Sequence, residues 1–342
     1  MKEIFISAEG VEETLRGIQK AIGGTIEEEW GECTLTVNNG IAEGKIRYIT
    51  FSRGIVLLDY DILFRDNITL ITDASTYNPI HFVYCLKGHC GHRFSLQSGI
   101  KILEQFHSVI ITGREGGHHY HYFPKRTKLN INIIQVIRKQ FLKKQPNNLW
   151  GLNKKLQEVF LDTDNENTFR YFGALNLKIA DQIVAMHNIH QKGISRILQI
   201  EGQAYQILSM HILQHDRDMR NKKPKTSLLE RELKIIHDLA NKVVKNVSKP
   251  YSLVLLSKES GLSQAKLQEG FKHLYARTVT EYIRHVRVET ARDLMNNSDM
   301  NISEIVYSIG FSSRSYFSKI FKEKYNISPS EYKNRLGLFL EG

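Results

Sequence analysis

The chain has 342 residues, of which 41% are hydrophobic and 24% charged, with 47 lysines and arginines against 36 aspartates and glutamates. This length predicts two or three domains that each bury a core, and three cysteines in so long a chain argue against a disulfide framework. Because no run of 18 apolar residues occurs and the N-terminal segment lacks a signal-peptide pattern, we expect a cytoplasmic protein without membrane spans.

Short apolar and β-branched runs, separated by turn residues, fill the chain as far as Phe123. They include CTLTVNNG, KIRYITFS, GIVLLDYDILF and SVIITGREGG. Runs of this length, with Asn-Gly, Lys-Gly and Gly-Gly between them, are typical of antiparallel strands, and six or more predict a sandwich or barrel. We therefore predict a β-rich domain over residues 1–128.

Histidines are concentrated in this first domain. The run GGHHYHYF places His119 and His121 on one face of a strand, at the i, i+2 spacing that metal-binding cupins use, and His89, Cys90 and His92 lie in a nearby hairpin turn. Metal cupins also need a carboxylate a few residues further on, and the five residues after His121 supply none. We therefore predict no metal site and no cofactor. The candidate ligand-binding residues are His81, Tyr84, His119 and His121.

The periodicity changes at Leu129, where apolar residues begin to recur at helical spacing. The segments KLNINIIQVIRKQFLKK, LWGLNKKLQEVF and LNLKIADQIVAM predict helices within residues 129–215. A fourth, GISRILQIEGQAYQILSMHILQHD, has an apolar stripe that belongs either to the domain core or to a dimer interface. The stripe consists of Ile194, Ile197, Leu198, Ala204, Tyr205, Leu208 and Ile212. Residues 216–227, DRDMRNKKPKTS, are polar, basic and aperiodic, and predict a linker.

Two copies of one pattern lie about 50 residues apart within residues 228–342. LLSKESGLSQAKLQEGFK and SEIVYSIGFSSRSYFSKIFK each contain a short helix, a glycine turn and a second helix, with Phe271 and Phe321 at equivalent inward positions. This arrangement predicts two helix-turn-helix units, whose second helices enter the DNA major groove. An internal repeat of this kind rarely arises by chance.

A helix over TVTEYIRHVRVETARDLMNNS joins the two copies, and Thr278 with Glu281 forms a capping box at its start. Such a helix could hold the two reading helices about one DNA turn, ~34 Å, apart on one face. The positive charge is concentrated here, because residues 216–342 have a net charge of +8 and the first 215 only +3. This distribution predicts contact with phosphates and salt-sensitive binding.

These motifs, together with ISPSEYK, resemble the DNA-binding domain of the AraC/XylS family of bacterial transcription regulators over residues 230–337. The resemblance implies base contacts from Ala265, Gln268, Glu269, Arg314, Ser315, Ser318 and Lys319. Ser263, Lys272, Ser313 and Lys322 complete the predicted DNA-binding surface. Glu269 is acidic where family members often have a basic residue, so the first reading helix either binds weakly or accepts a hydrogen bond from a cytosine amino group.

The predicted protein is therefore of the α+β class. It consists of a β-rich sensing domain of cupin-like or jelly-roll type (1–128), a helical dimerisation segment (129–215), a linker (216–227) and an all-α DNA-binding domain (228–342). The resemblance implies the cupin-like fold, dimerisation through the helical segment, and RNA polymerase as a partner. The branch of the family that contains the siderophore-responsive pyochelin regulator is the most similar, which suggests a ferric siderophore as effector.

We thus predict a transcription regulator that binds double-stranded DNA at specific sites, forms a homodimer and responds to a small molecule. No G-x-S-x-G, Walker-type or paired zinc-ligand motif occurs, so we predict no enzyme activity. Two alternatives remain at this point. One is a metal-dependent cupin-like enzyme with an accessory DNA-binding domain, and the other is an architectural protein that binds DNA without sequence preference.

Overall fold

A computed structural model describes residues 2–7, 9–143, 149, 151–220 and 226–340, with only the backbone of residues 335–340. The chain divides into two compact units, residues 1–222 and 223–342. Strands dominate the described part of the first unit and helices that of the second, which confirms the predicted α+β class. Residues 221–225 of the predicted linker lie outside the described residues.

The strands of the first unit form two facing sheets. In chain order they are Lys2–Ile6 (β1), Thr25–Glu29 (β2), Glu32–Asn38 (β3), Ala42–Phe51 (β4), Ile55–Phe64 (β5), Ile68–Asp73 (β6), Ile80–Lys87 (β7), Cys90–Arg93 (β8), Lys101–Leu103 (β9), Ser108–Thr112 (β10), His118–Phe123 (β11), Lys128–Val136 (β12) and Phe169–Gly173 (β13). One sheet has the order β1-β6-β11-β8-β9 and the other β13-β10-β7-β12-β5-β4-β3-β2. Neighbouring strands are antiparallel except β1 and β6, which run parallel. The arrangement is compatible with the predicted cupin-like sandwich.

Alternating side chains build the core between the sheets. In β3, for example, Cys33, Leu35 and Val37 are buried while the residues between them are partly exposed. This is the period of two that places every second side chain on the inward face of a strand. The same buried cluster includes residues from both sheets, such as Ile46 of β4 and Leu70 of β6.

One helix lies in a region where only strands were predicted. Helix α1, Val11–Ile22, buries Val11, Leu15, Ile18 and Ile22 at helical spacing against the sheet core. Its close approach to β1 depends on Gly17, because a Cβ there would lie 2.7 Å from Cδ1 of Ile6. The local i, i+4, i+7 pattern of apolar residues therefore outweighs the strand-rich surroundings.

Residues 128–136 form strand β12, so the predicted helix at the start of KLNINIIQVIRKQFLKK is wrong. β12 pairs with β5 on one side and β7 on the other, which places it in the centre of the larger sheet. The segment is rich in β-branched isoleucine, and such residues favour the pleated surface of a sheet over a helix. Together with β13, it extends the β-rich part of the chain beyond residue 128.

The described part of the first unit contains four further helices: Arg138–Leu142 (α2), Lys154–Leu161 (α3), Leu177–His187 (α4) and Gly193–Met219 (α5). Helices α3, α4 and α5 confirm three of the predicted helices. Helix α5 continues through residues 216–219, where a linker was predicted. Its apolar stripe is divided, because Ala204 and Leu208 are buried within the unit whereas Ile194 and Leu198 are 69% and 58% exposed.

The second unit confirms the two predicted helix-turn-helix units. Its helices are Glu230–Lys245 (α6), Leu253–Ser260 (α7), Gln264–Tyr275 (α8), Val279–Asn297 (α9), Ile302–Ser308 (α10), Arg314–Tyr325 (α11) and Pro329–Leu340 (α12). Helix α9 has 19 residues and is about 28 Å long at 1.5 Å per residue. It packs Tyr282 on Phe271 of the first helix-turn-helix unit, with ring centroids 5.2 Å apart. Its Ala291 and Met295 share a buried cluster with Phe321 of the second.

Candidate functional site

The first reading helix, α8, is capped by Ser263, whose Oγ accepts a hydrogen bond from the Lys266 backbone N–H at 3.3 Å. Leu267, Gly270 and Phe271 are buried and face the rest of the unit. Gly270 permits close packing on α6, since a Cβ there would lie 2.1 Å from Cδ1 of Ile236. The predicted contact residues Ser263, Ala265 and Lys272 are exposed.

Two other predicted contact residues of α8 already have partners inside the protein. Oε1 of Gln268 accepts from the Val279 backbone N–H at 3.1 Å, at the start of α9. The Glu269 carboxylate accepts from the Ser227 backbone N–H at 2.8 Å and from the Thr226 hydroxyl at 2.7 Å, and these hydrogen bonds lower the pKa of Glu269. Contacts of Gln268 and Glu269 with bases stay a prediction, and such contacts would have to compete with these hydrogen bonds.

The second reading helix, α11, offers a more complete polar surface. Ser313 caps it by accepting from the Tyr316 backbone N–H at 3.2 Å, and its inward side chains are Phe317, Ile320 and Phe321. The remaining predicted contact residues are exposed, apart from Ser318, which is half-buried. They are Arg314, Ser315, Lys319 and Lys322. These four exposed side chains carry hydrogen-bond donors and positive charge, which suits phosphates and base edges.

The intramolecular bonds of this surface are few. Nη1 of Arg314 donates to Oγ of Ser303 on α10 at 3.3 Å, a long hydrogen bond at an exposed position. Lys319 and Lys322 have no ion pair among residues 226–334, the part of the unit whose side chains are described. Their ammonium groups therefore remain available to an anionic ligand.

Arg287 of α9 connects the two helix-turn-helix units. Its Nε donates to the carbonyl of Val247 at 3.2 Å and its Nη2 to that of Lys249 at 2.8 Å, in the loop between α6 and α7. The same guanidinium lies 5.5 Å from the ring centroid of Phe311, in the turn between α10 and α11 of the second helix-turn-helix unit. Gly310 in that turn has φ +81°, and a Cβ there would lie 2.6 Å from the Ser248 carbonyl oxygen. The loop and the turn can approach this closely only because residue 310 is glycine.

A cavity of about 60 Å³ lies between the two sheets of the first unit. Its walls are mainly apolar, with Leu58 and Tyr60 of β5 and Ile131 of β12 among them. Of the four predicted pocket residues, His81 and His121 line it, and His119 is not among its lining residues. Whether these histidines bind a ligand stays a prediction.

Tyr84 does not share this cavity, so its predicted place beside His81 is wrong. Residues i and i+3 of a strand face opposite sides of the sheet. Tyr84 accordingly lies on the other face of β7, where it is fully buried and its hydroxyl donates to the Asn176 carbonyl at 2.8 Å. Its ring packs against the imidazole of His211 on α5, with centroids 6.3 Å apart.

His211 itself is an unusual core residue. Both of its ring nitrogens are buried without a hydrogen-bond partner among the described residues, and burial lowers the pKa of the imidazole to about 3. An unfolded chain has an ordinary histidine pKa of about 6.5. Between these two values the unfolded state binds a proton that the folded state does not. His211 therefore lowers the free energy of unfolding by about 1.4 kcal/mol for each pH unit of acidification in this window.

We expect His211→Leu to remove this pH dependence. Between pH 7 and pH 5 the parent should lose about 2 kcal/mol more unfolding free energy than the variant, as measured by urea denaturation of the full chain at both pH values. The exposed His190 supplies the matched control, and His190→Leu should follow the parent. If the unfolding free energy changed equally with pH in the parent and in His211→Leu, this imidazole would not be held neutral in the folded protein.

Three histidines meet beside the cavity, and two of them, His92 and His121, line it. His119 and His121 project from the same face of β11, and His121 lies directly opposite His92 in the register of β8 and β11. Nε2 of His92 lies 3.1 Å from Nδ1 of His119. His81 approaches from the opposite sheet, with its ring centroid 5.5 Å from that of His119.

Burial controls the charge of these imidazoles. It lowers the pKa of His81 to about 3 and that of His121 to about 4, and the pKa values of His92 and His119 also lie well below the usual value. All four rings are therefore neutral near pH 7. Sequence reasoning placed His92 in a hairpin turn and missed its role. The alternation of Cys90 and His92 with Gly91 was the available signal, because it puts every second side chain on the inner face.

No helix in the described ranges combines the length and apolarity needed to cross a bilayer. A family model described as a helix-turn-helix domain matches residues 256–335. Regulatory protein SoxS of Escherichia coli K12 is 30% identical over 103 residues, which cover 30% of this chain and 96% of that protein. The match therefore includes nearly the whole of SoxS.

Histidine kinase P4 of Formosa agariphila is 36% identical over 109 residues, which cover 32% of this chain. The chain spans only 7% of the length of that kinase. Among solved structures, a transcriptional regulator with an AraC-type DNA-binding domain from Chromobacterium violaceum is 25% identical. It matches 31% of this chain and 93% of its own, with a TM-score of 0.28.

Proposed function

The chain belongs to the AraC/XylS family of transcription regulators, and we propose that it controls transcription by binding specific sites in double-stranded DNA. The exposed face of α11 supports this proposal most directly. It presents Arg314, Ser315, Lys319 and Lys322 at the second helix of a helix-turn-helix unit, which is the position that enters the major groove. The proposed role is regulatory and not catalytic.

The first unit is proposed to sense a small molecule. Its cavity of about 60 Å³ lies between two sheets and has His81, His121 and Gln135 on largely apolar walls. Pockets that enclose drug-sized ligands measure roughly 300–1,000 Å³. This comparison favours a small effector over the ferric siderophore, which stays a prediction. Binding would change transcription if the effector had different affinities for two arrangements of the DNA-binding domains.

We further propose a cytoplasmic homodimer that acts on RNA polymerase. The exposed Ile194 and Leu198 on α5 support an interface along that helix, because neither is covered by the described part of its own unit. Apolar side chains at adjacent positions on one helix face are suited to pairing with a second copy. The domain boundaries of 216–227 for a linker, whose first four residues lie in helix α5, and 228–342 for the DNA-binding domain remain part of this proposal.

Sequencing the genomic DNA that the purified full-length protein retains from its own genome tests the proposed function. A specific regulator should enrich a small set of fragments that share a sequence, at a salt concentration that removes non-specific binding. An architectural protein would retain fragments in proportion to their abundance. A flat profile at every salt concentration would therefore contradict specific regulation.

A further inference from the structure

The three histidines at the cavity form a more ordered group than the sequence indicated. His92 and His121 are cross-strand neighbours on β8 and β11, and His119 is two residues from His121, so all three rings leave the same face of the sheet. One ring nitrogen from each histidine can be chosen so that all three atoms lie within 4.8 Å of one another. The strand pairing that builds the sheet therefore also brings three potential ligands together.

The hydrogen bonding of this group is incomplete. Nδ1 of His92 and Nε2 of His119 are buried and have no partner among the described residues. Buried polar atoms of this kind are rare, since most find a hydrogen bond. The other nitrogens of the two rings face each other at 3.1 Å. A neutral imidazole has one protonated nitrogen and one lone pair, so the pair can share only one proton between the facing atoms.

The geometry also suits a metal ion. Two nitrogens 3.1 Å apart, each about 2.0–2.1 Å from a zinc ion, would subtend roughly 100° at the metal, near the tetrahedral angle. Neutral imidazole is a good ligand for zinc, copper, iron and nickel. Three histidine ligands with an open fourth position form one of the known arrangements of non-structural zinc sites.

We propose that His92, His119 and His121 bind one divalent transition-metal ion beside the cavity, whose wall includes His92 and His121. The missing carboxylate after His121, which argued against a metal site from the sequence, is replaced by His92 from the neighbouring strand. The cavity leaves room beside the three ligands for water or a small ligand at the open position. His81, on the opposite sheet, would contact whatever occupies that position.

The metal proposal does not depend on the proposed DNA binding. A site built from β8 and β11 could hold its ion whether or not the second unit recognises an operator. The two proposals are therefore measured separately on the same preparations, with DNA retention recorded beside metal binding. Loss of one without the other identifies which proposal fails.

The test uses the full-length chain after treatment with EDTA. Zn²⁺ is titrated in competition with a chromophoric chelator, and Co²⁺ is added to a second sample as a spectroscopic probe. We expect one tightly bound equivalent of Zn²⁺ and the visible bands of Co²⁺ with nitrogen ligands in a low-symmetry site. If neither Zn²⁺ nor Co²⁺ bound tightly at one equivalent, the proposal would be overturned.

Variants locate the site. His121→Gln should weaken Zn²⁺ binding by more than about 100-fold, because loss of an outer-shell partner alone costs about 10–100-fold. His118→Gln is the matched control, since His118 is on the same strand but on its other face. Equal weakening by His118→Gln and His121→Gln would overturn the proposal.

A structural effect of the substitution must be distinguished from loss of a ligand. Circular dichroism and thermal melting in EDTA establish whether His121→Gln and His92→Gln fold. If neither folds, ring ¹⁵N NMR of the parent protein with and without Zn²⁺ gives the answer. Three imidazoles whose ring ¹⁵N signals shift together on addition of one equivalent would support the site, and no such shift would contradict it.

Discussion

Replacing both Arg314 and Lys319 with alanine is expected to weaken binding to the cognate DNA site by about 2–6 kcal/mol. Each base contact contributes about 1–3 kcal/mol of discrimination, and separated positions are roughly additive. Both side chains are exposed on α11, and among the described residues Arg314 makes only one hydrogen bond, which is long. The substitutions should therefore change DNA binding with little effect on the fold. Titrations with the cognate duplex and a shuffled duplex of equal length measure the difference.

Lys322 provides the control for this experiment. It lies beyond the base-reading end of α11. We therefore expect Lys322→Ala to weaken binding to all duplexes alike. The slope of the logarithm of the binding constant against the logarithm of the salt concentration should become smaller in magnitude by about one. If the Arg314 and Lys319 double variant kept the full preference for the cognate duplex, α11 would not be the reading helix. Uniform weakening of both duplexes would reassign these two residues to phosphate contacts.

The second large effect should come from Phe321→Ala, which is expected to cost about 3–5 kcal/mol of unfolding free energy. Phe321 is fully buried, and its ring lies among those of Phe317, Tyr325 and Tyr332 at centroid distances of 5.5, 4.6 and 5.6 Å. Truncation would leave a cavity at the centre of the cluster that joins α9, α11 and α12, because neighbouring rings can refill it only in part.

Urea denaturation of the full chain, with hydrogen exchange of α9 and α11 as a local readout, measures this cost. Lys322→Ala is again the matched control, because it truncates the adjacent exposed residue of the same helix. Similar unfolding of Phe321→Ala and Lys322→Ala would show that the inward face of α11 has been assigned incorrectly.

The helical unit could be predicted in detail because its signals are local. Ser263, Ser313 and Asn301 each cap a helix by accepting a hydrogen bond from the backbone N–H three positions further on. The capping box predicted for Thr278 and Glu281 forms, and Asn301 forms another with Glu304. In each case both partners lie within a few residues, so no knowledge of the tertiary fold is needed.

The β-rich unit was harder to predict because pairing there is non-local. Strand β12 is stabilised by β5 and β7, which lie about 70 and 50 residues earlier in the chain. Its isoleucines occur close enough together to match a helical stripe as well as a strand. The alternation of side chains along a strand was enough to place Tyr84 and His81 on opposite faces of the sheet, since they are three residues apart. The meeting of His92 with His119 depends on the β8–β11 register, which no local pattern contains.

The link that Arg287 makes between the α6–α7 loop and the turn at Phe311 limits which operators the protein can use. Helix α9 and this arginine connect the two helix-turn-helix units into one frame, which restricts the rotation of one reading helix relative to the other. One inserted base pair would turn the second half-site by about 34° around the duplex axis and move it about 3.4 Å along that axis. The frame therefore makes the phase between the two half-sites part of the recognised sequence, along with the bases themselves.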